Sequence, residues 1–123
     1  MHGLYYQSLI NWYQHFPSNQ ILVVNNARLV EYPWEVMTEI ENLLGIPNEF
    51  SKKNFVKKRG MEDQGYCMTG GTIGDKVDCM GDGKHLVHPE VSEEALVILR
   101  KFYKESNHKF YQLIGENFGW PEE

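Results

Sequence analysis

The sequence predicts an α/β fold, and three neighbouring features in its N-terminal half support this prediction. Residues 4–16 carry apolar side chains at steps near three and four, which is the spacing of an amphipathic helix. Residues 21–24 form a short, continuous, β-branched run, as expected for a strand buried on both faces of a parallel sheet. A second amphipathic helix begins at Pro33. Helix, buried strand and helix in this order are typical of α/β sheet proteins.

The size and composition of the chain are those of one globular domain. It has 123 residues, of which 41% are hydrophobic and 24% are charged, and this is enough sequence to bury a core. Its net charge of −5 argues against a nucleic-acid partner, because duplex-binding proteins usually carry a basic excess. No stretch approaches eighteen consecutive apolar residues, so the sequence predicts no membrane span within this chain.

One short segment has the opposite charge to the rest of the chain. The composition of this segment fits a solvated basic loop, and it also fits a patch that faces an anionic ligand. The sequence leaves both interpretations open. The basic residues of the segment are Lys52, Lys53, Lys57, Lys58 and Arg59.

The two predicted N-terminal helices have recognisable ends. Pro17 stops the first helix, because proline cannot donate the next helical hydrogen bond. Pro33 suits the first turn of the second helix, Gly45 suits its C-terminal end, and Pro47 prevents continuation. The predicted inward positions are Leu4, Leu9, Trp12, Tyr13 and Phe16 in the first helix, and Trp34, Val36, Met37, Ile40, Leu43 and Leu44 in the second.

Between residues 50 and 89 the helical and strand periodicities fade. Seven of the eleven glycines lie between Gly60 and Gly83, and the two cysteines, Cys67 and Cys79, lie within the same loop. Long loops of this kind tend to be either functional or disordered. A disulfide between the cysteines would hold the loop in an oxidising compartment, whereas two unrelated thiols would fit a reducing one.

Two helices are predicted to close the chain. Ser92 is a suitable N-cap for the first, whose first turn carries two glutamates that favour a helix N-terminus. Asn107 is predicted to cap the second, and Gly115 to end it. The predicted inward side chains are Leu96, Leu99, Phe102 and Tyr103, then Phe110, Tyr111, Leu113 and Ile114, with Phe118 and Trp120 folded back against them.

The glycine-rich segment around Cys79 holds most of the residues that could carry chemistry. Cys67, Cys79, His85 and His88 would suffice by number for a zinc ion, but the cysteines are too far apart for the usual pair in a structural zinc site. The sequence contains neither a complete P-loop nor a G-x-S-x-G nucleophile motif. The third interpretation is an anion cradle, in which Lys84 places a positive charge beside glycine N–H groups.

Two stretches of the chain share a set of motifs with a known enzyme family. They read "GLYYQSLINWYQHFPSNQILVV" and "ARLVEYPWEVMTEIENLLGI". The family pattern is G-L-Y, W-[LF]-x-x-F-P and a buried strand, then R-L-[IV] and a helix ending in F-L-G-L. This combination resembles the C-terminal half of the heparan sulfate glucosaminyl 3-O-sulfotransferases. The matching residues are Trp12, Phe16, Pro17, Arg28, Leu29, Leu43, Leu44 and Gly45.

The resemblance continues to residue 120. The segment "NFVKKRGMEDQGYCM" resembles the family's N-F-Y-F-N-K-T-K-G-F-x-C-L, and Cys67 and Cys79 match a cysteine pair that forms a disulfide in the family. The segment "KHLVHP" keeps the lysine, histidine and proline of the family's K-G-R-x-H-P, although His85 and Leu86 replace its glycine and arginine. The segment that begins "LRKFY" aligns with the family without gaps.

This resemblance implies a function and a set of site residues. The implied reaction moves a sulfuryl group from 3′-phosphoadenylyl sulfate (PAPS), the co-substrate, to a hydroxyl of heparan sulfate, a glycosaminoglycan. The implied fold is a partial P-loop-like sulfotransferase fold with few parallel strands, packed helices and a disulfide-held loop. Residues 1–123 would form the C-terminal portion of a single sulfotransferase domain. The residues expected at the donor nucleotide are Lys84, His85, Leu86, Val87, His88 and Tyr66, and those expected at the glycan are Lys57, Lys58 and Arg59.

The resemblance also indicates what this chain does not supply. In the family the donor loop and the catalytic base precede the matched segment, so no catalytic residue is assigned here and little catalysis is expected from this chain alone. No metal is expected. The implied compartment is the Golgi lumen, with a membrane anchor outside this chain. The alternative hypotheses are a non-catalytic module that binds glycan or nucleotide, and a small zinc-stabilised domain.

Overall fold

The protein is helix-rich in the ranges that the structure, a computed structural model, describes: residues 3–57, 65–69, 77, 79 and 89–122. The chain divides into two compact units, residues 1–23 with 88–123, and residues 24–87. We call them the helical unit and the hairpin unit. The elements are α1 (Tyr5–Tyr13), α2 (Asn26–Glu31), α3 (Pro33–Leu44), β1 (Phe55–Val56), β2 (Cys67–Met68) and α4 (Glu93–Ile114), with short 3-10 helices at Ser18–Gln20 and Lys52–Asn54.

The core of the helical unit is a cluster of aromatic rings between α1, α4 and the segment that follows α4. Phe110 and Trp120 stack with their centroids 5.7 Å apart and their planes 6° from parallel. Tyr5 contacts both rings, at 5.8 Å from Phe110 and 5.6 Å from Trp120. The backbone N–H of Trp120 donates a hydrogen bond to the Tyr111 hydroxyl at 3.2 Å, and Phe118 packs against Trp120. The prediction that the C-terminal segment folds back is confirmed.

The C-terminal helix α4 is continuous over 22 residues, so the prediction of two helices separated at Asn107 is wrong. The helix contains no glycine or proline that would interrupt it, and asparagine in a helix interior costs only about 0.6 kcal/mol relative to alanine. Lys109 also pairs with Glu105 at 2.6 Å across one helical turn that includes Asn107. Pairs of this kind favour the helix over an interruption.

The ends of α4 lie where the sequence predicts them, but some of the side chains predicted to point inward are exposed. The Ser92 hydroxyl accepts a hydrogen bond from Ala95 N at 3.3 Å, and Gly115 ends the helix with a φ of 73°. Leu99 and Phe102 were predicted inward, yet they are 46% and 56% exposed. The helix α1 has nine residues and is less than half as long as α4, so it cannot cover the whole of α4.

The first predicted helix is confirmed as α1, which ends at Tyr13, a few residues before Pro17. Trp12 and Phe16 were predicted to point inward. They remain largely exposed and contact each other at a centroid distance of 5.6 Å. The apolar periodicity therefore identified the helix correctly and placed too many of its residues in the core.

The parallel strand predicted at residues 21–24 is wrong. These residues are half-buried and lie outside the strands of the structure. A strand needs a neighbouring strand to receive its hydrogen bonds, and none of the described residues pairs with this segment. The chain instead begins α2, which the sequence did not predict, where the Asn25 side chain accepts a hydrogen bond from Ala27 N at 2.9 Å.

The hairpin unit is built around α3. Pro33 occupies the first turn of this helix and Gly45 ends it in a left-handed conformation with a φ of 65°, so both predicted ends are confirmed. Arg28 connects α2 to α3, because its guanidinium contacts the Glu39 carboxylate at 2.8 Å. Val36 is the buried centre of the unit, with 1% of its surface exposed.

A two-stranded antiparallel sheet follows α3. Phe55 of β1 pairs with Met68 of β2, and Val56 pairs with Cys67. The described strands are therefore antiparallel rather than parallel. The helix-rich architecture with a small sheet is compatible with a partial α/β fold.

Candidate functional site

A disulfide joins Cys67 in β2 to Cys79, and the two Cα atoms lie 4.4 Å apart. This confirms the pairing that the family resemblance implies and excludes the interpretation of two unrelated thiols. Cys67 is buried, with 7% of its surface exposed. The bond closes a loop between positions twelve residues apart and ties Cys79 directly to the sheet.

Two lysines and two aromatic rings form a continuous series of contacts on the hairpin unit. The Lys52 ammonium lies 5.1 Å from the centroid of the Trp34 ring. The edge of one ring faces the other in a T-shaped contact between Trp34 and Tyr66, with centroids 5.4 Å apart. The Lys57 ammonium lies 4.9 Å from the centroid of the Tyr66 ring. We call Lys52, Trp34, Tyr66 and Lys57 the basic–aromatic cluster.

The cluster is suited to bind anions. An ammonium over an aromatic face is attracted by the negative charge of the ring face, and this contact is worth about 0.5–1 kcal/mol at an exposed site. Both lysine residues are exposed. Among the described residues no carboxylate forms an ion pair with Lys52 or with its neighbour Lys53. The Lys52 charge therefore remains accessible to a ligand, while the Trp34 ring restricts where its ammonium group lies.

A short network of hydrogen bonds fixes the backbone beneath Lys52. Ser51 N and Ser51 Oγ both donate to Asn54 Oδ1, at 2.9 and 3.0 Å. Asn54 O accepts a hydrogen bond from Thr69 N at 2.7 Å, which links the 3-10 helix to the end of β2. The cluster is thus assembled from α3, the 3-10 helix, the residue after β1 and the residue before β2, with Cys67 and its disulfide next to Tyr66 in the chain.

Glu41 holds the segment that leads into this site. Its side chain is buried, with 2% of the residue exposed, and its Oε1 accepts hydrogen bonds from Glu49 N at 2.8 Å and Phe50 N at 3.1 Å. No described residue donates to its Oε2. A carboxylate that accepts two backbone N–H groups replaces the water these groups would otherwise bind. Glu41 therefore has a structural role: it turns the chain from α3 toward Lys52.

Tyr32 borders the cluster and stays neutral. Its ring contacts Trp34 edge-on at 6.0 Å. A hydrogen bond with Glu31, and then the charge of that carboxylate, raise the pKa of the Tyr32 hydroxyl above its ordinary value of 10.0. The Tyr32 hydroxyl therefore adds no negative charge beside Trp34 at neutral pH.

The structure describes part of the predicted site. Tyr66 and Lys57, predicted for nucleotide and glycan respectively, contact each other in the cluster. The other predicted residues lie outside the described residues, so their roles stay predictions; they are Lys58, Arg59, Lys84, His85, Leu86, Val87 and His88.

The sequence did not identify Trp34 as part of a candidate site. It predicted this residue as one member of the apolar face of a helix, whereas the structure places it in contact with Lys52, Tyr66 and Phe55. Trp34 and Lys52 are eighteen positions apart and belong to different elements. No local sequence pattern predicts a contact between residues this far apart. The position of Trp34 at the start of its helix, away from the centre, was the available signal that its ring could contact another element.

Comparison with curated proteins relates the chain to heparan sulfate enzymes. It is 35% identical over 119 residues to heparan sulfate glucosamine 3-O-sulfotransferase 3B1 of Mus musculus, covering 96% of this chain and 30% of that protein. It is 34% identical over 119 residues to heparan sulfate glucosamine 3-O-sulfotransferase 6 of Mus musculus, covering 96% of this chain and 34% of that protein. It is 34% identical over 121 residues to heparan sulfate glucosamine 3-O-sulfotransferase 5 of Homo sapiens, covering 97% of this chain and 33% of that protein. No protein-family model matches the chain.

These similarities relate the chain to the heparan sulfate glucosamine 3-O-sulfotransferases. It corresponds to a C-terminal part of a heparan sulfate glucosamine 3-O-sulfotransferase-like protein, as the motifs indicated. The chain spans about a third of the length of the curated relatives that it matches.

The disulfide also excludes the alternative of a zinc site at the two cysteines. A zinc site made of Cys67, Cys79, His85 and His88 is wrong, because zinc binds cysteine as a thiolate and both sulfurs are bonded to each other. No helix in the described ranges is both long enough and apolar enough to cross a bilayer.

Proposed function

We propose that this chain forms the C-terminal part of a sulfotransferase domain that acts on heparan sulfate. The observation that carries the proposal is the similarity to 3-O-sulfotransferases over 96% of the chain. The reaction transfers a sulfuryl group from PAPS to a glucosamine hydroxyl. It breaks the bond between sulfur and the 5′-phosphate oxygen, releases 3′-phosphoadenosine 5′-phosphate, and forms a bond between sulfur and the hydroxyl oxygen, whose proton passes to a base. No residue of this chain is assigned as that base.

The proposed contribution of this chain is to bind both substrates. Lys84 and His88 would contact phosphate oxygens of the donor, with His85, Leu86 and Val87 forming the connecting segment and Tyr66 lying near the nucleotide. Lys84 supplies a compact positive charge that suits phosphate. The disulfide between Cys67 and Cys79 supports this proposal, because it holds one side of the loop that carries these residues.

The proposed glycan-binding residues are Lys57, Lys58 and Arg59. Cations along a path are what a sulfated polysaccharide requires, since its affinity comes from several ion contacts in series. The position of the Lys57 ammonium over the Tyr66 ring supports this assignment at the one residue of the three that is described.

Two further properties belong to the same proposal. The full fold would be the P-loop-like sulfotransferase sheet, of which residues 1–123 are one portion of a single domain, and transfer would need the donor loop found elsewhere in relatives. Transfer requires donor and acceptor to be held in line, so the chain alone should turn over little substrate. The proposed compartment is the Golgi lumen. The disulfide agrees with an oxidising compartment, because such bonds seldom persist where thiols are kept reduced.

A transfer assay with labelled PAPS and heparan sulfate tests the proposal. The samples are this chain alone, and this chain joined behind the N-terminal part of the 3B1 relative from mouse. We expect transfer by the joined protein only. Lys84→Ala in the joined protein should weaken nucleotide binding about tenfold, because it removes a charge-assisted contact to phosphate. Lys101→Ala removes an exposed lysine of α4 and should leave nucleotide binding unchanged. Unchanged affinity in Lys84→Ala would contradict the donor site.

One observation favours a second candidate, a non-catalytic module that binds glycan or nucleotide. His85 and Leu86 replace the glycine and arginine of the family's K-G-R-x-H-P, and the loss of arginine removes a fork of hydrogen-bond donors. A joined protein that folds and binds heparan sulfate but transfers no sulfuryl group would support this candidate over the enzyme.

A further inference from the structure

We propose that Lys52, held over the Trp34 ring, is an additional binding point for a sulfate group of an extended sulfated glycan. It lies outside the glycan-binding set Lys57, Lys58 and Arg59. This inference rests on the proposed function, which supplies the class of ligand. It extends the path of the ligand from one side of the basic–aromatic cluster to the other.

The geometry links the two lysines through the rings between them. Lys52 to Trp34, Trp34 to Tyr66 and Tyr66 to Lys57 are consecutive contacts of 5.1, 5.4 and 4.9 Å. The two ammonium groups therefore belong to one surface of the hairpin unit, although they come from the 3-10 helix and from the residue after β1. A ligand that carries several negative charges along its length could contact both.

The ring makes Lys52 a better binding point than an ordinary surface lysine. A free lysine side chain loses up to about 2 kcal/mol of rotamer entropy when a ligand immobilises it. The contact with Trp34 restricts the side chain before the ligand arrives, and the Ser51–Asn54 hydrogen bonds fix the backbone that carries it. Part of the ordering cost is thus met in the free protein, which is how preorganisation raises affinity.

The local charge favours a polyanion at this place, although the chain as a whole is acidic. The chain as a whole carries a net charge of −5, which repels a sulfated polymer. The segment from Lys52 to Lys57 contains three lysines and no acidic residue. Among the described residues no carboxylate forms an ion pair with Lys52. A sulfated oligosaccharide repeats its negative charges along its length, so it suits a surface that presents a cation at each end of the cluster.

Lys53 provides a matched control within the same 3-10 helix. It is also exposed and has the same charge, but no ring contact is described for it. Simple charge attraction would make Lys52 and Lys53 equivalent. The proposal instead requires Lys52 to contribute more.

The experiment measures binding of heparin oligosaccharides of defined length to the full 123-residue chain by titration calorimetry at several salt concentrations. We expect Lys52→Gln to weaken the binding of a long oligosaccharide about threefold to fivefold, as for the loss of one exposed ion pair. It should also lower the slope of log affinity against log salt by about one, since one fewer counterion-releasing contact is made. Lys53→Gln should weaken binding less than about twofold, and Lys52→Arg should retain affinity because it keeps a cation over the ring.

Trp34→Leu tests the role of the ring separately from the charge. It should weaken binding by less than Lys52→Gln, and the double variant should be no weaker than Lys52→Gln alone. The near-UV circular dichroism and thermal midpoint of Lys52→Gln check that the fold is intact. Equal losses in Lys52→Gln and Lys53→Gln, or no loss in Lys52→Gln, would overturn this inference and leave the proposed function standing. A wild-type chain that binds no heparin oligosaccharide would contradict the glycan part of the proposed function itself.

Discussion

The helical unit and the hairpin unit are stabilised by different kinds of contact. In the helical unit, rings from α1, α4 and the C-terminal segment bury one another, and Phe110 is 4% exposed at their centre. In the hairpin unit a short sheet is held by a disulfide, by backbone hydrogen bonds and by lysines placed over rings. Apolar packing dominates the first unit and specific polar or covalent links dominate the second.

This difference accounts for where the candidate site lies. The packed rings of the helical unit contribute stability. The hairpin unit keeps cations at its surface, and it needs fixed links because its strands have only two residues each. An isolated two-stranded sheet is marginal in water, and the disulfide compensates for this.

Removal of the central ring of the helical unit should have the largest effect. Phe110→Ala deletes a buried ring that contacts Tyr5, Phe118 and Trp120, and should destabilise the protein by about 3–5 kcal/mol. Urea unfolding followed by tryptophan fluorescence measures the change. Phe102→Ala is the matched control on the same helix, because Phe102 is 56% exposed, and it should cost less than about 1 kcal/mol. Equal costs at the two positions would contradict the ring-cluster account of this unit.

Removal of the disulfide should have the next largest effect, and it should appear in the hairpin unit. The Cys67→Ser, Cys79→Ser double variant should lose about 3 kcal/mol, as expected for opening a loop of this length. Hydrogen exchange should rise at the amides of β1 and β2. Treatment of the wild-type protein with reductant should reproduce the result and should not affect the variant. If the amides of β1 and β2 exchange at the same rate with and without the bond, the hairpin unit does not depend on it.

The smallest effect is an acid dependence in the helical unit. The Glu122 carboxylate accepts hydrogen bonds from His108 and then Lys104, at 2.6 and 3.2 Å, and these lower the pKa of Glu122 below its ordinary value of 4.5. An acidic group whose pKa is lowered by folding stabilises the folded protein at pH values above its pKa in the unfolded state. This contribution disappears as the pH falls below about 4.5 and through the folded pKa.

The measurement for Glu122 is the urea midpoint between pH 3 and pH 7. Glu122→Gln should lower the midpoint slightly at pH 7, and the difference from the wild type should shrink as the pH falls, because the wild-type carboxyl takes up its proton. Glu116→Gln, a change at an exposed carboxylate without a described ion pair, should leave the pH profile unaltered. Parallel profiles for Glu122→Gln and wild type would mean that the ion pairs contribute nothing measurable.

Comparison with the sequence shows which features were predictable. Pro33, Gly45, Ser92 and Gly115 mark helix ends correctly, because a helix end depends on the conformation of one residue and its hydrogen bonds to close neighbours. The predicted break at Asn107 failed for a related reason. A capping residue is compatible with a helix end but does not require one, and nothing else interrupts α4.

The candidate site was predictable only in part. Tyr66 came from the resemblance to a family, which carries information about distant contacts that a single sequence lacks. Lys57 was indicated by its basic segment as well as by the resemblance, and the resemblance favoured the disulfide over two unrelated thiols. The contact of Lys52 with Trp34 came from neither source, since it joins two elements that no local pattern relates.

The sequence by itself determined the positions of three predicted helices, the return of the aromatic C-terminal segment and the family that the chain resembles. These features depend on short-range geometry or on a long ordered set of motifs. The tertiary structure decided that residues 21–24 are not a strand, that α4 is continuous, and that two lysines share one surface with two rings. Strand pairing and cation–ring contacts depend on which distant segment lies alongside, and that is fixed only when the chain has folded.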